Sequence, residues 1–185
     1  MPTPSDPGPP PVPPVATAVY AGSFDPPTTG HVWMIEQGAR LFSRLIVAVA
    51  RNPEKSYTYP LEQRLGWLNE VSKGLPNVEI TSIENEFLAR YAARVGARFI
   101  VRGIRNEDDY QYERGMRYVN ADLSPGLATV FLMPPRELCE ISSSFVKGMI
   151  GPEGWEDVVK GIVPRPVFRD LVGEETQRQR DEETK

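Results

Sequence analysis

Short apolar runs punctuate the chain at 18–21 (AVYA), 45–50 (LIVAVA), 78–82 (VEITS), 98–101 (RFIV) and 128–133 (ATVFLM). Longer stretches with helical spacing lie between them. Val32, Ile35, Ala39 and Phe42 recur at steps of three and four, as do Leu61, Leu65, Leu68 and Val71. Phe87, Ala89, Tyr91 and Val95 do so less cleanly. Near-continuous apolar strands alternating with helices predict an α/β protein, its parallel sheet covered on both faces. Right-handed crossovers place every strand's carboxyl end on one edge, and ligands bind there where the strand order reverses. Helical signals continue at 142–150, 155–160 and 166–172, which adds C-terminal helices to a doubly wound five-stranded sheet.

Composition narrows this picture. The length of 185 residues suits one domain. Lys+Arg 21 against Asp+Glu 25 gives a net charge of −4, so nothing favours coating a nucleic acid or an anionic membrane. No apolar stretch approaches the ~20 residues that a spanning helix needs. The single cysteine, Cys139, excludes an intrachain disulfide and a Cys-rich zinc site. The single histidine, His31, excludes a histidine-cluster metal site and a two-histidine mechanism. Residues 1–15 (MPTPSDPGPPPVPPV) are too proline-rich for helix or central strand and lack the pattern of a secretory signal, so a disordered tail is expected. Residues 173–185 (GEETQRQRDEETK) are almost wholly polar and are expected to fray. The domain is therefore expected at 16–172, in a cytoplasmic protein.

The chemistry clusters at the ends of the strands. The first strand runs into Gly22-Ser23-Phe24-Asp25-Pro26-Pro27-Thr28-Thr29-Gly30-His31. Thr28 or Thr29 can cap the next helix, which puts His31 at a helix amino end where backbone N–H groups favour phosphate. Neither GxxxxGK[ST] nor GxGxxG occurs. Lys55 follows the second strand and offers a mobile cation, ahead of Leu61-Glu62-Gln63-Arg64. The fourth strand runs into Arg102-Gly103-Ile104-Arg105, whose guanidinium forks suit phosphate. Tyr112 and Glu113 are expected to start a helix carrying Met116 and Asn120. Ile141-Ser142-Ser143-Ser144 opens a later helix, and the three serines are expected to present hydroxyls and N–H groups to one anion.

Taken in order, G-S-F-D-P-x-T-x-G-H, L-E-x-R, R-G-x-R-x-x-x-D-Y-x-Y-E, T-V-F-L-M-P and I-S-S-S-x-V-K resemble the phosphopantetheine adenylyltransferase family. That family belongs to the nucleotidyltransferase α/β phosphodiesterase superfamily, with a Rossmann-like fold. The arginine–tyrosine block is the specific part. The resemblance implies adenylyl transfer from ATP to 4′-phosphopantetheine, giving dephospho-coenzyme A and pyrophosphate. It implies His31, Lys55 and Arg105 as catalytic residues. Ser23, Lys55, Leu88, Arg102, Tyr112, Met116 and Asn120 would bind the acceptor. Ser23, Phe24, His31, Gly103, Ile104, Arg105, Glu113, Leu138, Cys139, Glu140, Ile141, Ser142, Ser143 and Ser144 would bind ATP. Magnesium would arrive with the triphosphate, coenzyme A would act as feedback inhibitor, and the assembly would be a homohexamer. Leu138 stands where the family often has an aromatic residue. The open alternatives are another small-molecule nucleotidyltransferase, of the nicotinate or nicotinamide mononucleotide type, and a non-catalytic nucleotide- or coenzyme A-binding protein on the same scaffold.

Overall fold

A computed structural model describes residues 16–51 and 56–183, without the side chains of 178, 179, 182 and 183. The proline-rich segment 1–15 and Lys55 lie outside the described residues. The chain runs β1 (Thr17–Gly22), α1 (Thr29–Leu41), β2 (Arg44–Arg51), α2 (Leu61–Val71), β3 (Val78–Glu84), α3 (Leu88–Arg94), β4 (Phe99–Gly103), α4 (Glu107–Leu123) and β5 (Ala128–Leu132). A short 3₁₀ turn at Arg136–Leu138 precedes α5 (Ser143–Met149), α6 (Trp155–Val159) and α7 (Arg165–Glu183). Each expected strand is present, with ends moved by a residue or two.

The five strands form one parallel sheet in the order β3-β2-β1-β4-β5. The first crossovers step outward from β1 to β3; β4 then returns to the other side of β1. The order therefore reverses between β1 and β4, and their carboxyl ends flank the crevice. Alternation along β1 divides the core. Ala18 and Tyr20 pack with Leu45, Val47 and Val101 on one face, joined by Met34 and Ile35 of α1 and Leu68 of α2. Val19 and Ala21 pack with Ile46, Ala48 and Ile100 on the other, joined by Tyr91 and Ala92 of α3.

A third cluster lies off the sheet. Trp155, Val159, Val163, Val167 and Leu171 pack on Trp67 of α2 and Tyr59 before it. The Trp67 indole N–H donates to Asp170 (2.8 Å), which ties α2 to α7. The Thr29 amide donates to the carbonyl of Ile162 (3.0 Å), so this C-terminal layer also holds the start of α1.

Three expectations change. The buried stripe of α1 is Met34, Ile35 and Gly38, continued by Phe42, while Val32 and Ala39 are only half-buried. Helix α4 starts at Glu107, not near Tyr112: Asn106 accepts from the Asp109 amide (2.9 Å), and Glu107, Asp108 and Asp109 suit the positive helix end. Helix α7 continues through 173–183 instead of fraying. Thr176 donates to the Val172 carbonyl (2.8 Å), Gln177 donates to Asp181 (2.9 Å), and Gln63 of α2 bonds Glu174. Side-chain pairs one turn apart and packing on α2 hold a helix that composition alone disfavours.

Candidate active site

The loop after β1 is pinned from several directions. Phe24 adopts a positive φ of 49° and buries its ring completely. The ring meets Tyr20 (5.5 Å) and His31 (5.1 Å) edge-on. A side chain at Gly22 would press on that ring, its Cβ 3.1 Å from Phe24 Cζ. The carboxylate of Asp25, 3% exposed, accepts the Tyr59 amide (2.9 Å), the Thr58 amide (3.1 Å) and Lys147 Nζ of α5 (2.8 Å). Burial alone would raise its pKa; the Lys147 hydrogen bond and the two amides outweigh that and hold it below the ordinary value. Arg64 of α2, 1% exposed, donates from Nη1 to the Ser23 carbonyl (2.7 Å) and stacks over Tyr57 (4.3 Å). Ser143 donates to the Pro26 carbonyl (2.8 Å).

His31 sits in the first turn of α1, capped by Thr28. The Thr28 amide lies 3.0 Å from His31 Nδ1 and the Thr28 hydroxyl 2.9 Å from the same nitrogen. The hydroxyl also accepts from the His31 amide (3.4 Å). Burial, and then the charge of Arg105, push the imidazole pKa from 6.5 down to about 4. The ring is neutral at physiological pH.

Two arginines line the opposite wall, each held by a carboxylate of α4. Arg102 donates from Nε to Glu113 (2.8 Å), bonds it again through Nη2, and donates from Nη1 to the Ala21 carbonyl (2.7 Å). Arg105 grips Asp109 with Nε (2.8 Å), Nη2 (3.0 Å) and its own amide (3.0 Å). The Arg105 hydrogen bonds hold the Asp109 carboxyl below its ordinary pKa against the effect of burial.

The cleft has two adjoining recesses. The first, of about 450 Å³, gathers His31, Gly103, Arg105, Leu138, Ile141, Ser142, Ser143 and Ser144. The second, of about 310 Å³, gathers Leu88, Met116 and Asn120, with Phe87 and Tyr57. Ser23, Arg102, Tyr112 and Glu113 line both. The sequence-selected residues thus fall into two groups that meet at the carboxyl ends of β1 and β4. Four stand apart. Phe24 and Ile104 are buried behind the wall. Cys139 points to the carbonyls of Pro134 (3.7 Å) and Pro135 (3.6 Å), and neither it nor Glu140 lines a recess. The three serines do not converge on one point. Ser142 caps α5 by accepting from the Phe145 amide (3.1 Å), Ser143 is committed to Pro26, and Ser144 is exposed.

Comparison with known proteins decides the family. A family model described as cytidylyltransferase-like matches residues 19–149, from β1 to the end of α5. The phosphopantetheine adenylyltransferase of Chromobacterium violaceum is 53% identical over 155 residues, covering 84% of this chain and 94% of that protein. The enzyme of the same name from Carboxydothermus hydrogenoformans is 45% identical over 150 residues, covering 81% and 90%. The chain belongs to the phosphopantetheine adenylyltransferase family. Among solved structures, a Plasmodium falciparum nicotinic acid mononucleotide adenylyltransferase complexed with NaAD superposes with a TM-score of 0.60 at 15% identity, over 86% of this chain and 95% of that one. At that identity the likeness speaks for the nucleotidyltransferase fold. Among the described residues no helix is long and apolar enough to cross a membrane.

Sequence reasoning missed the groups that hold this site together. Asp25, Arg64 and Lys147 all stand inside the family's motifs, yet the motifs alone give none of them a role. The signal was available in part. A charged residue flanked by apolar and glycine positions has to find a partner if it is buried, and Asp25 finds Lys147 122 positions away.

Proposed function

We propose that the chain transfers the adenylyl group of ATP to 4′-phosphopantetheine, releasing pyrophosphate and leaving dephospho-coenzyme A. One observation carries the reading. The two recesses share Ser23 and Arg102 in their linings, so two phosphorylated ligands, one in each, would meet the same two residues.

The first recess takes ATP and the second takes the acceptor. An oxygen of the acceptor phosphate attacks the α-phosphorus, and the bond to the pyrophosphate oxygen breaks. The nucleophile is already an anion, so no covalent protein intermediate is needed. The work of the protein is to place two anions in line and stabilise the charge that develops between them. His31, neutral at pH 7, donates one N–H to the α-phosphate. Arg105 contributes its charge to the nucleotide, and Arg102, shared by both recesses, to the acceptor phosphate. Lys55 is assigned to the same phosphates on the family resemblance. Leu88, Met116 and Asn120 receive the pantetheine arm, which mixes amides with methylenes and suits a wall of mixed polarity.

Among the described residues no three carboxylate, histidine or cysteine side chains converge. Asp25, Asp109 and Glu113 are each bound to a cation of the protein. Magnesium enters with the triphosphate, as part of the substrate. The family resemblance further supports a homohexamer in the cytoplasm, inhibited by coenzyme A.

The test is pyrophosphate release from ATP with a panel of acceptors. Turnover is expected with 4′-phosphopantetheine and far less with nicotinate mononucleotide or glycerol 3-phosphate. Equal or faster turnover of either alternative defeats the reading.

A further inference from the structure

Nδ1 of His31 faces one obligate donor, the Thr28 amide, and the adaptable Thr28 hydroxyl. The Thr28 amide, 3.0 Å away, can only donate. The Thr28 hydroxyl, 2.9 Å from Nδ1, accepts the His31 amide with one lone pair and keeps both a proton and a second lone pair, so it can meet either state of the imidazole. A proton on Nδ1 would therefore oppose the Thr28 N–H, 3.0 Å away. Among the described residues nothing bonds Nε2, and the ring lines the first recess. Phe24 closes on the ring edge-on at 5.1 Å, which gives the imidazole a buried aromatic neighbour.

We infer that Thr28 is a positioning residue: it holds His31 as the Nε2–H tautomer, so that the ring's single N–H serves the recess and not the helix end. A neutral imidazole has one donor and one acceptor, and the partner of one nitrogen decides the role of the other. Had Nδ1 carried the proton, Nε2 would present a lone pair to a phosphate oxygen, which repels. The capping geometry thus selects the electrostatics of the active site. Arg105 is the charged group facing the ring, and its effect is to keep the ring neutral. The inference rests on the adenylyl-transfer reading only for the use made of that N–H.

The chain has one histidine, so its imidazole gives a single pair of nitrogen resonances. The experiment is ¹⁵N NMR of the ligand-free full chain, without a histidine tag, at pH 7.5. Wild type, Thr28→Val and Thr28→Ser are compared, together with kcat and KM for ATP. In the wild type Nδ1 should resonate as an unprotonated acceptor and Nε2 as an N–H. Thr28→Val keeps the amide at position 28 but loses the hydroxyl cap that fixes it against the ring, so the two resonances should move toward each other as the amide is freed to shift and the Nδ1–H form becomes populated. There kcat should fall about tenfold while KM for ATP stays within about twofold. Thr28→Ser should restore both the spectrum and kcat to within about twofold. A wild-type proton on Nδ1 overturns the inference, as does a Thr28→Val protein with wild-type spectrum and kcat. So does a serine variant as impaired as valine. If Thr28→Val does not fold, the wild-type and serine spectra still decide. The spectrum needs no substrate. A chain that adenylylates nothing but shows the Nε2–H signature would remove the functional reading and leave the tautomer assignment standing.

Discussion

Helix α1 follows β1 and buries Met34, Ile35 and Gly38; helix α4 follows β4 and buries Glu113 and Asn120. Both helices leave a strand that borders the crevice, on opposite sides of the reversal in strand order. The inward face of α1 joins the main apolar core. The inward face of α4 is polar and opens on the ligand recesses, while Tyr112, Tyr118 and Val119 stand exposed at 64%, 57% and 43%. One βα unit is anchored by burial, which is worth roughly 1.5–3 kcal/mol per large apolar side chain. The other hangs on ion pairs to the arginines it presents. A substitution in the buried stripe of α1 should therefore register as stability, and one in the inner face of α4 as activity.

The largest expected effect sits where the anchored unit meets the chemistry. His31→Ala should lower kcat by about 10²–10³ while KM for ATP changes less, because the N–H acts on charge present mainly in the transition state. Steady-state kinetics at varied ATP checks this. A raised KM with kcat intact would make His31 a ground-state contact.

A second effect follows from the depressed His31 pKa of about 4. The free acceptor phosphate titrates near about 6, so kcat/KM should rise through that region and stay flat to about pH 8.5. A falling limb near 7 that vanishes in His31→Gln would mean that an imidazolium is required. The same shift acts on stability. The unfolded chain takes a proton near 6.5 and the folded chain resists until about 4, so the stabilisation is complete above 6.5 and is lost as pH falls toward 4. Asp25 acts in a lower window: its depressed pKa stabilises above 3.8 and fails as pH falls through the folded value. Urea unfolding from pH 7.5 to 4 should show the upper slope in the wild type and a reduced one in His31→Gln.

The smallest effect contrasts two helical glycines. A Cβ at Gly38 of α1 would lie 2.8 Å from Cδ2 of the fully buried Leu45, whereas a Cβ at Gly115 of α4 would meet nothing within 4 Å. Both gain about 1 kcal/mol of helix propensity on mutation to Ala. Gly115→Ala should thus raise stability by about that much. Gly38→Ala should fall short of it by roughly 1–3 kcal/mol, the cost of overpacking. Equal thermal shifts would dissolve the contrast between the helices.

The same contrast explains what was legible in the sequence. The buried runs of β1 and β2 are continuous and β-branched, and they announce themselves. The period of α1 shows through, although its buried stripe is rotated from Val32 and Ala39 to Met34 and Gly38. Helix α4 gives no apolar period over its first turn, where the cap and three acids are the only cues, so the sequence pattern puts its start five residues late. The part of helix α7 beyond Val172 reads as a frayed tail because what ties it down, Gln63 of α2 to Glu174, comes from 111 positions away. The motifs carried His31, Arg102 and Arg105 to the right edge. They gave no sign that each arginine is already engaged by a carboxylate, or that the serines of α5 divide their work.

The division of the cleft is tested most directly by measuring binding of ATP and of 4′-phosphopantetheine separately to two variants. Met116→Trp fills the second recess; Arg105→Met removes a cation that lines the first alone. Met116→Trp should weaken the acceptor about tenfold or more and leave ATP within about twofold, with Arg105→Met doing the reverse. A Met116→Trp protein that loses ATP as severely as the acceptor, or binds the acceptor as the wild type does, would contradict the two-recess arrangement.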